Sequence, residues 1–204
     1  MLEDSYKKEN YPLVSCLGSV YKNSNLDELR GAINSIINQN YKFIFEIIIV
    51  FDGPVSNEIE EFFKSYKKLN NKELKIYRLE ENQGLGVALN FGLTKCRGSL
   101  IARFDTDDIN HPDRLVNQVS FMTKNSDISV LCTSAYEFKS DKFSRNIICK
   151  VRKACPSKYI KLLMSLKNPI NHPTVMFRRQ DILKLDGYPE KIKFFEDYFL
   201  WLKY

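Results

Sequence analysis

This sequence predicts an α/β fold, with a mostly parallel central sheet and helices on both faces. Three observations predict it. Short apolar runs alternate with segments of helical periodicity over the first two-thirds of the chain. The most apolar run, Phe43 to Phe51, is rich in isoleucine and interrupted only by Glu46, as expected of a strand buried on both faces. Gly, Pro, Asn and Asp punctuate the joins. Such alternation implies right-handed crossovers and a ligand site at the carboxyl ends of the strands.

The elements follow in order. Val14 to Val20 is a short apolar strand, and the loop Tyr21 to Asn25 follows it. Leu26, Leu29, Ile33, Ile36 and Ile37 recur at helical spacing, with Ser24 or Asn25 available as the cap. The Phe43 to Phe51 strand stops at Asp52-Gly53-Pro54. A helix over Ser56 to Lys68 buries Ile59, Phe62, Phe63 and Tyr66, and a weaker strand spans Leu74 to Leu79. Asn82 to Gly86 enters a small-residue helix through Val87 to Leu93, and Arg97-Gly98 closes it. Ser99 to Phe104 is a third buried strand. Pro112 suits an early helix position, ahead of a face made by Leu115, Val116, Val119 and Met122. Ile128 to Thr133 and Thr174 to Phe177 are strand candidates, and Lys158 to Leu166 is helical. Between Ala135 and Cys155 one or two strands are expected, linked by the polar stretch Lys139 to Arg145.

A chain of 204 residues suits one domain, here taken as residues 1–204. The formal net charge of +6 is scattered without a basic stripe, which argues against nucleic acid as a partner. Five cysteines without a close pair point to a reducing cytoplasm. The charged, polar start after Met1 is unlike a signal peptide, and no apolar run is long enough to span a bilayer. Peripheral contact with the inner face of the plasma membrane stays open. The closing residues, Glu196 to Tyr204, read as a helix without a stop signal, so a C-terminal truncation is expected.

The chemistry concentrates in Asp105-Thr106-Asp107-Asp108, directly after a buried strand. Carboxylates about 4 Å apart repel by about 1 kcal/mol in water and by several at low dielectric. A bound Mg²⁺ or Mn²⁺ would remove that penalty and could bridge two phosphates. The other reading is a polar loop in which Asp108 or Asn110 caps the next helix. No GxxxxGK[ST] phosphate loop is present.

Further candidates carry paired readings. Asp52 ends the most apolar strand and suits contact with a base or ribose, or simply turn initiation. Asn82, Gly84, Asn90 and Gly92 permit close approach of a nucleotide, or of a helix to the sheet. His172 suits a metal or phosphate contact, or a structural role. Arg178 and Arg179 suit diphosphate binding, or a plain surface. Glu196 and Asp197 suit a general base, or the acidic first turn of a helix.

Taken in this order, the residues resemble the family 2 inverting glycosyltransferases with the GT-A fold, of the bacterial surface-polysaccharide type. The likeness runs from Tyr11 to Tyr204 on four patterns. They are Val14 to Asn23 with strand-end Asp52; Asn82-x-Gly84-x-x-x-Ala88-x-Asn90-x-Gly92; Phe104 to Asp108 with Pro112-Asp113-Arg114-Leu115 and Gln118; and His172 to Arg178 with Gly187-Tyr188, Glu196-Asp197 and Trp201. One departure is Phe51-Asp52, where the family often has two successive aspartates.

The resemblance implies that Asp52 meets the base and that Asp105 and Asp107 form the DxD pair at ribose and metal, with Asp108 a further ligand. It implies that Asp197 is the catalytic base beside Glu196, that His172 approaches phosphates or acceptor, and that Gly187 and Tyr188 shape the acceptor side. The implied cofactor is Mn²⁺ or Mg²⁺, the donor a UDP-sugar, and the acceptor a glycan or lipid-linked oligosaccharide. Two other functions remain beside this one: a nucleotidyltransferase of similar sheet architecture, and a non-catalytic nucleotide-sugar binding module.

Overall fold

The computed structural model describes residues 11–67, 73–140 and 147–203. The charged start after Met1, Lys68 of the second expected helix and positions 141–145 of the polar stretch lie outside these residues.

Strands β1 (Val14–Tyr21), β2 (Ile44–Asp52), β3 (Glu73–Arg78) and β4 (Leu100–Arg103) alternate with helices α1 (Leu26–Ile37), α2 (Asn57–Lys67) and α3 (Leu85–Lys95). After β4 come α4 (Arg114–Lys124), β5 (Val130–Leu131), a hairpin of β6 (Ala135–Ser140) and β7 (Ile147–Arg152), and α5 (Ser157–Met164). A 3₁₀ turn (His172–Thr174), β8 (Met176–Arg178), α6 (Arg179–Leu183) and α7 (Glu196–Leu202) complete the order. The main sheet has six strands in the order β3-β2-β1-β4-β8-β5. The first four are parallel, and β8 runs antiparallel to both of its neighbours.

The order reverses at β1, whose carboxyl end therefore borders a crevice between the ends of β2 and β4. Alternation along β2 builds both faces of the core. Ile47, Ile49 and Phe51 pack with Leu29, Ile33 and Ile36 of α1 and with Leu115, Val119 and Met122 of α4. Ile48 and Val50 pack on the other face with Ala88, Leu89 and Leu93 of α3 and with Leu200 and Trp201 of α7.

Glu46, near the start of β2, is fully buried at the amino-terminal end of the strands, opposite the acidic loop. Its carboxylate accepts from Ser15 Oγ (2.7 Å), Arg97 N (2.6 Å) and Lys75 Nζ (3.2 Å). Burial pushes its pKa up, but these donors outweigh burial and hold it below the ordinary glutamate value. At the start of α1, Asn25 rather than Ser24 is the cap, its Oδ1 accepting from Asp27 N and Glu28 N.

Three local expectations change. Pro112 precedes the helix rather than opening it, since α4 begins at Arg114. Thr174 belongs to the 3₁₀ turn, and the following strand is Met176–Arg178. The strand expected over Ile128 to Thr133 shrinks to Val130–Leu131, because its partner β8 is itself only three residues long. No helix among the described residues is long and apolar enough to cross a membrane.

Candidate active site

The site grows from the end of β4. Arg103 N donates to Val175 O and Phe104 N to Leu17 O, so the chain is held between neighbours until it leaves the sheet. It then turns, with Asp108 N reaching Asp105 O (3.4 Å) and Thr106 Oγ1 donating to Ser19 O (3.0 Å). This turn brings carboxylate oxygens of Asp105, Asp107 and Asp108 within 4.8 Å of one another. Asp105 is half-buried, and Asp107 and Asp108 are exposed. Partial desolvation, then the charges of Asp105 and Asp107, raise the Asp108 pKa to about 6. An oxygen-only donor set with surplus negative charge fits a hard divalent cation.

What lies beneath rules out the capping reading of this loop. Asp113 occupies the position before α4, so neither Asp108 nor Asn110 caps that helix. Asn110 instead takes Arg114 Nη1 and bonds Ser35 through its own amide. Buried Arg114 also donates to Arg103 O (2.7 Å), Val175 O (3.1 Å) and Gln118 Oε1 (3.0 Å). Gln118 passes the link to Thr174 O (2.7 Å). The Arg114 and Gln118 of the sequence pattern are therefore the struts of the acidic loop.

Asp52, at the end of β2, is held by its neighbours. It is 4% exposed. Its oxygens accept from Asn82 Nδ2 (2.9 Å), Gln83 N (2.8 Å) and Gly84 N (3.0 Å). Asp52 thus ties β2 to the entrance of α3, and Asn82 spends its amide on that tie. Gly84 has φ +100, which a side chain would strain, and the space beside it is open.

Asn90 is likewise committed within the fold. It clasps the turn before α7, accepting from Tyr188 N (2.8 Å) and donating to Tyr188 O (2.9 Å). At Gly187, with φ +65, a Cβ would stand 2.1 Å from Asn90 Oδ1, so only glycine fits. Tyr188, expected on the acceptor side, is 1% exposed and puts its hydroxyl 3.0 Å from His172 Nε2. The His172 ring also meets Trp201 edge-on. Burial, then the charge of Arg103, hold the His172 pKa well below its usual value, so the ring is neutral at pH 7. His172 is not part of the carboxylate grouping, the one candidate metal cluster among the described residues.

Arg178 is displaced from the expected diphosphate site altogether. Because β8 is antiparallel to β4, its start lies at the acidic end and its end lies opposite Leu100. Arg178 there donates to Met122 O, Asn125 O and Ile128 O, bonding carbonyls at the carboxyl end of α4. The same reversal brings the His172–Thr174 turn to the site.

Glu196 and Asp197 form the first turn of α7. Glu196 is 7% exposed and packs against α3, where a Cβ on Gly86 would come within 3.1 Å of Glu196 Cβ. Half-buried Asp197 accepts from Tyr198 N and Asn168 Nδ2, each at 2.7 Å. Burial raises both acids above their ordinary values, in Glu196 with help from the Asp197 charge.

Two residues at the site were missed from sequence. Arg103 is 1% exposed and forms an ion pair with Asp105. A charge inside an apolar strand next to the acidic loop was its signal. Asn168 gave no local signal.

A mostly parallel sheet with an acidic turn at its switch point is the arrangement of the GT-A fold. Two solved structures share that fold. The Staphylococcus aureus TarS 1-349 structure in complex with UDP matches with a TM-score of 0.69 at 20% identity, over 94% of this chain and 54% of that one. The mannosyltransferase PcManGT from Pyrobaculum calidifontis, in complex with GDP-Man and Mn²⁺, matches with a TM-score of 0.69 at 15% identity, over 95% and 52%. The chain belongs to glycosyl transferase family 2, whose sequence model matches residues 19–186. Among curated relatives, the Escherichia coli UDP-Gal:alpha-D-GlcNAc-diphosphoundecaprenol beta-1,3-galactosyltransferase is 37% identical over 196 residues, which is 96% of this chain and 68% of that protein. The chain thus spans about two-thirds of that relative and about half of each solved structure.

Proposed function

We propose that this glycosyltransferase chain moves a sugar, with inversion at C1, from a cation-bound UDP-sugar to a hydroxyl of a lipid-linked glycan. The observation that carries the reading is the convergence of Asp105, Asp107 and Asp108 within 4.8 Å at the carboxyl end of β4. Asp107 and Asp108, both exposed, would hold Mn²⁺ or Mg²⁺. When bound, the ion supplies charge neutralisation for the departing diphosphate. Asp105, steadied by Arg103, is left to accept hydrogen bonds from ribose hydroxyls.

Asp197 serves as the general base. Its oxygens are oriented by Asn168 and the Tyr198 amide, and its raised pKa makes it a stronger proton acceptor than an exposed aspartate. The acceptor hydroxyl gives its proton to Asp197 as its oxygen attacks C1 and the diphosphate leaves. Glu196, buried beside it, keeps α7 seated on α3. Neutral His172 can offer a hydrogen bond but no charge. The UDP-sugar and lipid-linked acceptor in the name of the E. coli relative support the choice of substrates. Exposed Tyr136, Phe138, Tyr159, Leu162 and Leu166 near Lys150, Arg152 and Lys161 support a peripheral approach to an anionic membrane.

Calorimetry tests the donor half. UDP binding should require Mn²⁺ or Mg²⁺, and Asp107→Ala should weaken it at least ~10-fold, a loss of about 1.4 kcal/mol. Unchanged affinity in Asp107→Ala would remove the acidic loop from the donor site.

A further inference from the structure

Arg103 is the strongest unexplained group in the molecule. It is a charged side chain 1% exposed, on a strand otherwise apolar. Its backbone is fixed on both sides, since N donates to Val175 O and O accepts from Arg114 Nη2. Its Nη1 stands in ion-pair contact with Asp105 Oδ1, yet neither Nε nor Nη1 has an aligned hydrogen bond. A buried guanidinium with unsatisfied N–H groups is costly and needs a reason to persist.

We propose that Arg103 is a positioning residue for the donor site, pinning Asp105 from beneath so that Asp107 and Asp108 are turned out to the cation. This rests on the function proposed above. The argument is geometric. Asp105 is the first residue of the loop that the sheet does not hold through a backbone hydrogen bond, and the guanidinium is its counter-charge. With Asp105 neutralised by a fixed cation, the residual charge of the loop sits on the two exposed carboxylates.

Two measurements on the unaltered chain and its variants decide the matter. Without ligand, Arg103→Gln should speed amide exchange in segment 104–108 and leave β1 and β2 unchanged. With UDP and Mn²⁺, Arg103→Gln should weaken binding about 10-fold in the unaltered chain, but under about 2-fold when Asp105→Asn is already present. Arg103→Lys keeps the charge but not the planar fork, and should fall between the two; it replaces Arg103→Gln should that variant not fold. Unchanged loop exchange, exchange that rises evenly across the sheet, or equal losses of UDP affinity in both backgrounds would overturn the proposal. An unaltered chain that binds no UDP would sink the proposed function instead, and loop exchange would still decide whether Arg103 holds the loop.

Discussion

Single side chains at this site are set first by burial and then by their neighbours' charges. Asp108 illustrates the sign. Its folded pKa of about 6 lies above the ordinary 3.8, so its contribution to stability is fully present below about pH 4 and is lost as pH rises through 6. Near pH 7 the metal-free protein carries the penalty. Asp108→Asn should therefore raise the melting temperature at pH 7 and not at pH 4. Because the side chain is exposed, the gain should stay under about 1 kcal/mol, or about 2–4 °C, by calorimetry or fluorescence. The same variant should lose the stabilisation by Mn²⁺. Asp197 gives the second prediction. Its raised pKa places the acid limb of transfer above the ordinary aspartate value of 3.8, with rate falling as pH falls through it. Asp197→Asn should reduce transfer by about 10²–10⁴-fold while sparing UDP affinity. Asn168→Ala should move the limb upward, because a donor to the charged form is lost.

Elements inherit their stability from a few buried polar ties. The joint at the amino-terminal end of the strands is Glu46, which links β1 through Ser15, β3 through Lys75 and the chain entering β4 through Arg97 N. Glu46→Ala should destabilise the chain by on the order of 3 kcal/mol in urea unfolding, since it removes a fully buried carboxylate and strands its donors. The alternation of β2 and the 3.6-residue stripe of α1 were readable because both periodicities are local. The role of Glu46 was not, because its partners lie 31, 29 and 51 residues away. Asp52 and Asn90 share that history. Each stands where its pattern predicts, but its side chain is committed to a segment 30 or 98 residues distant.

At the scale of the whole molecule, the sheet order sets which groups can share a ligand. The crevice at the switch point between β1 and β4 gathers the acidic loop, and the antiparallel β8 adds the His172 turn. A ligand bound there should stabilise the folded chain as a unit. UDP at about 100 times its dissociation constant, with Mn²⁺ present, should add about 2.7 kcal/mol and raise the melting temperature accordingly. UDP without the metal should add much less, and equal shifts in both conditions would argue against the cation.

The α/β class, the strand and helix order through α4 and the acidic loop at a strand end were all legible in the chain before folding. These depend on periodicity and turn chemistry within a dozen residues. Tertiary structure alone decided which polar residues face the crevice and which brace it. Arg178 went to the far end of the strands because β8 runs backwards, Asp52 and Asn90 became ties, and Arg103 and Asn168 joined the site. The direction of one short strand and the pairing of buried polar groups over long sequence distances leave no periodic trace in the chain, because they are fixed only when the sheet closes around them.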